Sequence, residues 1–306
     1  LAGLTAALAD AAGAHRALPM AARTWGMPAT PTSFGAVIAG WGMPLVRHRA
    51  RLATLRPGVE AASLAGAAGT LSAMGSAGPA VRAEMARRLG LTDPGGATHA
   101  TRDHLHALAG WLAGVTGSLA KMGEDALALV RAGEVRLGGG GGSSTMPHKQ
   151  NPVAPSMLVA FARQAAALAG AVTAALPHRD QRDGTAWLVE WMALPQLCLV
   201  TGAALLKAQA TATTLAPVPE AMAAGLDPDG LGLIGAEALT FALAAHMPRP
   251  EAQAAVTSLC DAARESGTPL ARLAADRFPD MALPDAMATG QAAAEADRFV
   301  AAAKDV

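Results

Sequence analysis

The sequence has almost no aromatic residues and no tyrosine: aromatics make up 3% of its 306 residues. Hydrophobic residues nevertheless account for 52% of the chain. Much of that fraction is alanine, the residue with the highest helix propensity. Alternating runs of β-branched residues, which would indicate strands, are scarce. This composition predicts long, closely packed helices rather than sheets.

The sequence also has few cysteines and no net charge. The two cysteines, Cys198 and Cys260, lie far apart and form no CxxC spacing, so the sequence predicts neither a disulfide framework nor a zinc site. The formal net charge is +0, which provides no field to attract nucleic acid or an acidic membrane. An anionic ligand would therefore be held by a few local cations. We expect a cytoplasmic protein.

Long uninterrupted apolar runs and targeting signals are missing as well. Each apolar stretch is broken by glycine, proline or charge before it reaches about 18 residues, which predicts no membrane span. The first residues lack the basic segment of a signal peptide. Because Leu1 already lies within a predicted helix, we expect that a preceding part of the protein is missing from this chain.

Helical periodicity dominates the remaining sequence. Prolines predict a loop at residues 19–32, and the five consecutive glycines at 138–142 predict a mobile loop that belongs to neither helix nor strand. We predict an all-α fold with a long-helix bundle domain at 1–224 and a small helical C-terminal domain at 225–306. The predicted helices of the bundle cover residues 1–17, 34–55 (with Ser33 as N-cap), 59–74, 81–89, 101–132, 153–176 and 186–215.

The stretch that follows the glycines, Ser143 to Pro152, carries the most chemistry. Its lysine does not directly follow the glycines, so the stretch is not a phosphate-binding P-loop. Lys149 offers a positive charge to a carboxylate, and Asn151 offers a hydrogen-bond donor. A serine could remove a carbon-bound proton only if its alkoxide were stabilised. We predict a loop that closes over a small substrate and expels water.

This stretch resembles the GSSxMPxKxNP signature of the fumarase/aspartase superfamily of lyases, and every fixed position is met. The resemblance implies that Ser143 is the catalytic base and that Lys149 assists catalysis by binding a substrate carboxylate. It also implies that Ser144 and Asn151 bind substrate.

Three other segments resemble one branch of that superfamily, the cycloisomerases. Residues 23–25 read Arg-Thr-Trp where most members have Arg-Thr-His, which implies that Thr24 and Trp25 bind substrate. Residues 178–191 resemble the branch pattern HxRDGxAWxxEW, with a shifted histidine, and imply a substrate-binding Arg182. Residues 99–103 resemble its WHTQRD segment. Met27 departs from the pattern, because a glutamine is usual there.

The resemblance implies a cycloisomerase that interconverts 3-carboxy-cis,cis-muconate and 4-carboxymuconolactone in the protocatechuate branch of the β-ketoadipate pathway. The chemistry is proton transfer with intramolecular addition or elimination of a carboxylate, and it implies no cofactor. The substrate is a small tricarboxylate, and the family implies a homotetramer with shared active sites. We expect no metal, because His104 and His106 point to different sides of a helix and no ligand set is complete.

Two alternatives remain. The protein could be another lyase of the superfamily, such as adenylosuccinate lyase; Trp25 argues against this, whereas Met27 and Thr98 are compatible with it. It could also be an inactive helical scaffold. The absence of the family's first conserved region, which would precede Leu1, favours that reading, and the complete loop at 143–151 opposes it.

Overall fold

Helices dominate the computed structural model, which describes residues 1–139, 141–142, 145–146 and 148–304. The predicted all-α class is confirmed. The helices are α1 (Ala2–Ala14), α2 (Phe34–Val59), α3 (Gly78–Leu89), α4 (Asp103–Arg131), α5 (Val153–Ala174), α6 (Gly184–Thr214), α7 (Pro219–Leu226), α8 (Ala236–Ala244), α9 (Arg249–Ser266), α10 (Leu270–Arg277) and α11 (Ala292–Lys304).

The strands are short and form three antiparallel pairs within the described residues. They are β1 (Pro19–Thr24) with β2 (Met27–Ser33), β3 (Val135–Leu137) with β6 (Leu215–Pro217), and β4 (Gly141–Gly142) with β5 (Gln150–Asn151). Two 3-10 turns, Ser72–Ala77 and Leu233–Gly235, complete the elements.

Helices α4, α5 and α6 form the long bundle. The N-terminal end of α5 lies on the last third of α4, where a Cβ at Gly123 would be only 2.8 Å from the carbonyl oxygen of Pro155. At the other end of α5, Thr173 Oγ1 lies 3.1 Å from His106 Nδ1, in the first turn of α4. The two helices are therefore antiparallel along most of their length.

The prediction of a loop at residues 19–32 is wrong, because the segment forms the hairpin β1–β2. Its turn consists of Trp25 and Gly26, with φ values of 54° and 81°. A two-residue turn with both φ values positive matches the twist of a hairpin. Prolines in β2 are tolerated because each strand of an isolated pair has a free edge that needs no N–H donor.

The prediction of a helix at 59–74 is also wrong. α2 continues through Pro57 to Val59, and the chain then turns away from helical geometry. Gly66 and Gly69 have φ values of 73° and 85°, which lie outside the right-handed helical region. Hydrogen bonds to a distant segment replace the helical ones: Ala62 N–H donates to Thr92 O at 2.8 Å.

Part of the glycine run at 138–142 forms a short strand. Gly141 and Gly142 form β4 and pair with Asn151 and Gln150. The absence of a side chain is needed here, since a Cβ at Gly141 would lie 2.8 Å from Val153 Cγ2. The predicted exclusion of strand structure from 138–142 is therefore wrong at these two positions, and Gly140 lies outside the described residues.

The C-terminal part contributes to two hydrophobic clusters. One joins α8, α9 and α10 through residues such as Leu243, Leu259 and Leu270. The other is the main core, in which Phe299 of α11 packs fully buried beside α1 and α2. Gly42 makes room for that ring, because a Cβ there would be 1.9 Å from Phe299 Cζ. The division at residues 224 and 225 stays a prediction.

Helices α5 and α6 are long and apolar enough to cross a membrane by length and composition alone. Both pack on α4 in the bundle, and α6 contains the buried, ion-paired Glu190. Core helices of bundles pass the same test. α6 also has an apolar side that stays exposed among the described residues, formed by Leu188, Trp191, Met192, Leu199 and Leu206.

Candidate active site

The hairpin β1–β2 is fixed to the C-terminal end of α4 by an ion pair. Arg23 Nη2 donates to Glu134 Oε1 at 2.6 Å, and the Glu134 side chain is buried. Thr24 and Trp25 lie at the hairpin tip, where the Trp25 side chain is fully exposed and its backbone has a positive φ of 54°. A positive φ is rare for a bulky residue, and a fully exposed tryptophan is also unusual. Backbone outliers of this kind cluster at functional sites.

The signature loop is the stretch 143–152, and its described end leads into the start of α5, which packs on α4 near Gly123. Ser143 and Ser144, the predicted base and substrate ligand, lie outside the described residues. Lys149 is exposed, and its backbone N–H donates to Met146 O at 2.9 Å. Asn151 is half-buried in β5, where it pairs with Gly141. The loop therefore places Lys149 and Asn151 immediately before the start of α5.

Arg182 lies in a separate pocket of about 370 Å³ between the start of α4, the start of α6 and the irregular segment after α2. The pocket is lined by three cationic or titratable side chains (Arg182 among them), two indoles and the short stretch 63–66. The lining residues are Ser63, Leu64, Ala65, Gly66, His99, Arg102, Arg182, Trp187 and Trp191.

One of the two arginines in this pocket, Arg102, is already paired with a carboxylate. Arg102 Nε and Nη2 donate to both carboxylate oxygens of Glu190, with the shortest distance 2.6 Å. Its Nη1 donates to Thr98 O at 3.2 Å. His178 Nε2 lies 3.4 Å from Glu190 Oε1. Because fork-to-fork pairs of this type fix both partners, Arg102 is a rigid wall of the pocket rather than a free charge.

Arg182 is different, because no carboxylate of the described residues lies within ion-pair distance of it. Its Nη2 donates to Gly66 O at 2.9 Å and lies 3.4 Å from His99 Nε2. The guanidinium carbon lies 5.2 Å from the centre of the Trp187 ring. The group is thus held in place by neutral partners and keeps its positive charge available for an anionic ligand.

Asp183 fixes the start of α6 next to Arg182. Its Oδ1 accepts the N–H of Thr185 at 2.9 Å, and its Oδ2 accepts the N–H and Nε–H of Arg179. The Arg179 side chain and these backbone N–H groups hold the pKa of the Asp183 carboxyl well below its usual range. A carboxyl with a lowered pKa stabilises the fold above its unfolded pKa of about 4, and that stabilisation is lost as the pH falls further.

We expect Asp183→Asn to lower the melting temperature by a few degrees at neutral pH, because the helix cap loses its charge. The difference from the wild type should shrink as the pH is lowered below about 4, because the Asp183 carboxyl of the unfolded chain then takes up a proton while that of the folded protein stays ionised. Thermal melting followed by circular dichroism across this range measures both values. A difference that stays constant with pH would contradict this role of Asp183.

Within one chain, the described end of the signature loop and the Arg182 pocket are far apart. The loop adjoins Gly123 on α4 through the start of α5, whereas the pocket adjoins Arg102 at the other end of α4. A helix rises about 1.5 Å per residue, so these two points on α4 are separated by about 30 Å. A single copy therefore does not bring Lys149 and Arg182 to one substrate.

Comparison with known proteins identifies the family to which the chain belongs. A family model described as a lyase matches residues 1–167 of the chain, and this region includes the hairpin, the signature loop and the start of α5. The chain belongs to this lyase family. The resemblance to lyases of the fumarase/aspartase superfamily is thus confirmed, and the protein is a relative of enzymes.

Two curated relatives and one solved structure support the assignment to the lyase family. The chain is 39% identical to a 3-carboxy-cis,cis-muconate cycloisomerase of Pseudomonas aeruginosa, over 97% of this chain and 68% of the relative. It is 38% identical to the protein of that name from Pseudomonas putida, over 81% and 60%. The crystal structure of a 3-carboxy-cis,cis-muconate lactonizing enzyme from Pseudomonas putida has a TM-score of 0.90 at 34% identity, covering 99% of this chain and 71% of that one.

Within this lyase, three side chains around Arg182 were not predicted as site residues: His99, Arg102 and Trp187. They belong to the two segments that resemble the cycloisomerase patterns, so the signal was present in the sequence. What the sequence did not indicate is that residues 88 positions apart, Arg102 and Glu190, meet in one ion pair. Within the part of the chain that the structure describes, no group of three or more potential ligands is arranged to hold a metal ion.

Proposed function

We propose that this protein interconverts 3-carboxy-cis,cis-muconate and 4-carboxymuconolactone as a cytoplasmic enzyme of the β-ketoadipate pathway. The single observation that carries the proposal is the uncompensated Arg182 guanidinium in a pocket of about 370 Å³. Such a site suits a small polycarboxylate, and the curated relatives with the highest identity above are named for this reaction. The chain spans about two thirds of their length, so the activity is proposed for the whole protein.

The reaction needs only proton transfer and an internal leaving group. In the lactonising direction, a substrate carboxylate oxygen adds to a carbon–carbon double bond and the neighbouring carbon gains a proton. In the reverse direction, a proton is removed from the carbon next to one carboxylate, the double bond forms, and the lactone oxygen leaves the neighbouring carbon as a second carboxylate. We assign the proton exchange to Ser143. Negative charge develops on the carboxylate beside the reacting carbon, and Lys149 and Asn151 would stabilise it.

The separation of the two regions supports a site that is shared between copies. Arg182 and Lys149 adjoin opposite ends of α4, at Arg102 and Gly123, and these two points of the helix are about 30 Å apart. The Trp25 indole extends into solvent. A second copy that packs along the bundle would place its own loop or hairpin over the Arg182 pocket. We therefore propose a homotetramer in which each active site combines segments of different copies.

The exposed side of α6 supports the same assembly. Met192, Leu199 and Leu206 are each more than 60% exposed and follow one another at a seven-residue spacing. This is the spacing of apolar residues that pack between neighbouring helices of a bundle. Trp191, which lines the Arg182 pocket, lies beside this stripe. A helix from another copy that covers the stripe would therefore also border the pocket.

The function is tested by the ultraviolet absorbance of 3-carboxy-cis,cis-muconate after addition of the full-length protein. Loss of the diene absorbance, with formation of 4-carboxymuconolactone, is the expected result. If the folded, assembled protein leaves the absorbance unchanged, this substrate is wrong. Other substrates of the lyase family would then be assayed, and failure of these as well would favour an inactive helical scaffold.

The shared site predicts recovery of activity when two inactive variants are mixed. Arg182→Met should disable the pocket and Ser143→Ala the loop, each on its own. When the two full-length variants are unfolded together and refolded, mixed assemblies should contain sites in which both groups are intact. Recovery of a measurable fraction of wild-type turnover is expected. A mixture as inactive as either variant alone would contradict a site made of several copies.

A further inference from the structure

The two ring nitrogens of His99 lie in different surroundings. Nε2 lies 3.4 Å from Arg182 Nη2. Since a guanidinium only donates hydrogen bonds, Nε2 must present its lone pair to Arg182. Burial and the charges of Arg182 and Arg102 lower the pKa of His99, which favours the neutral ring. The single proton of that ring is therefore on Nδ1.

This Nδ1–H group is buried and has no hydrogen-bond partner in the part of the chain that the structure describes. The side chain is held firmly, since His99 is only 8% exposed and its ring meets Trp187 edge to face at 6.2 Å. Trp187 Nε1 also donates to the carbonyl oxygen of His99 at 3.2 Å. Buried donors without a partner are rare in folded proteins, and each requires an explanation.

We propose that His99 is a substrate-binding residue, which donates a hydrogen bond from Nδ1 to an anionic oxygen of the ligand held by Arg182. The inference rests on the proposed function and extends it, because it assigns a second contact in the pocket. Arg182 supplies the charge, while His99 supplies a donor of fixed direction. Two contacts to one carboxylate, or to two carboxylates of one ligand, fix the orientation in which the substrate is held.

Two substitutions separate this role from a purely supporting one. The side-chain amide of asparagine in His99→Asn keeps an N–H near the position of Nδ1 but loses the acceptor that faces Arg182. His99→Gln reaches the position of Nε2 but loses the donor at Nδ1. We expect Gln to raise the KM for 3-carboxy-cis,cis-muconate at least about tenfold, with a smaller effect on kcat, and Asn to raise it less than about threefold. The opposite ranking, equal losses or no change in either variant would overturn the proposal.

A non-reacting ligand separates this inference from the proposed reaction. Propane-1,2,3-tricarboxylate has no double bond, so its binding to the full-length wild type and to both variants is measured by calorimetry without turnover. The same ranking of affinities is expected. The wild type and variants could show this ranking of affinities while the wild type leaves the muconate unchanged. That result would contradict the proposed function and support the role of His99 in ligand binding.

Should the glutamine variant fail to fold, the wild type provides a direct measurement. With ¹⁵N-labelled histidine, nuclear magnetic resonance reports which ring nitrogen of His99 holds the proton, and His99→Asn identifies the signal. A proton on Nδ1 that shifts on addition of propane-1,2,3-tricarboxylate is expected. A proton on Nε2, or an Nδ1 signal that is unaffected by the ligand, would overturn the proposal.

Discussion

Ser143→Ala should lower kcat for 3-carboxy-cis,cis-muconate by about a thousandfold while changing KM only a few-fold. A general base in the right position contributes about 10² to 10⁴ in rate. The serine hydroxyl contributes little to binding, because the charged contacts to the substrate are assigned to Lys149 and Arg182. The loss should therefore fall on the proton-transfer step. Steady-state kinetics from the decay of the diene absorbance separate the two constants.

A matched control is a serine in the first turn of the helix that follows the loop. Ser156 is exposed on α5, and its hydroxyl only donates to Pro152 O at 2.9 Å. Ser156→Ala removes the same atom without removing a proposed catalytic group, so its kcat should stay within about twofold of the wild type. If Ser143→Ala retained wild-type kcat, another group would have to move the proton. Equal losses in both variants would indicate a general disturbance of the loop.

The long helices could be predicted from the sequence because local signals determine them. The periodic apolar residues of α4 and the Ser33 cap of α2 are both found as predicted, with Ser33 Oγ accepting the N–H of Ala36 at 3.1 Å. The prolines at residues 19–32 led to the wrong prediction of a loop, because the tertiary structure tolerates proline in these strands. The hairpin β1–β2 accommodates Pro28 and Pro31 because its strands pair only with each other.

The candidate site could be predicted in part, and the limit has a physical cause. Lys149 and Asn151 lie in one continuous motif, so a single stretch of sequence identifies them. The Arg182 pocket instead depends on contacts between distant segments, such as the bond from Arg182 to Gly66 O. The residues after α2 were predicted as a helix, and a helix there could not have supplied this wall of the pocket. Only the folded arrangement indicates that Arg102 is paired with a carboxylate and that Arg182 has none within ion-pair distance among the described residues.

Glu190→Ala should lower the free energy of unfolding by about 3 to 5 kcal/mol, the usual cost of removing one partner from a buried ion pair. The Glu190 side chain is 3% exposed and that of Arg102 is 18% exposed, so water screens the pair little. The substitution would leave the Arg102 guanidinium in place without its countercharge, and it would also leave a cavity. Glu190→Gln keeps the volume and one acceptor oxygen, so its loss should be smaller. Urea unfolding at fixed protein concentration measures both losses, because the proposed assembly would make the stability depend on concentration.

The control removes a glutamate that has two arginine partners on the protein surface. Glu84 bonds to Arg87 and Arg88 on α3, and its side chain is 43% exposed. Exposed pairs are solvated in the folded and unfolded states alike, so Glu84→Ala should leave the urea midpoint almost unchanged. Glu190 has one arginine partner rather than two, so a count of arginine partners alone predicts the larger loss for Glu84. The expected ranking is the reverse, because burial rather than the number of partners determines the cost. Equal losses in the two alanine variants would mean that Arg102 finds another partner or water when Glu190 is removed, and that it is not the rigid, neutralised wall assigned to it in the pocket.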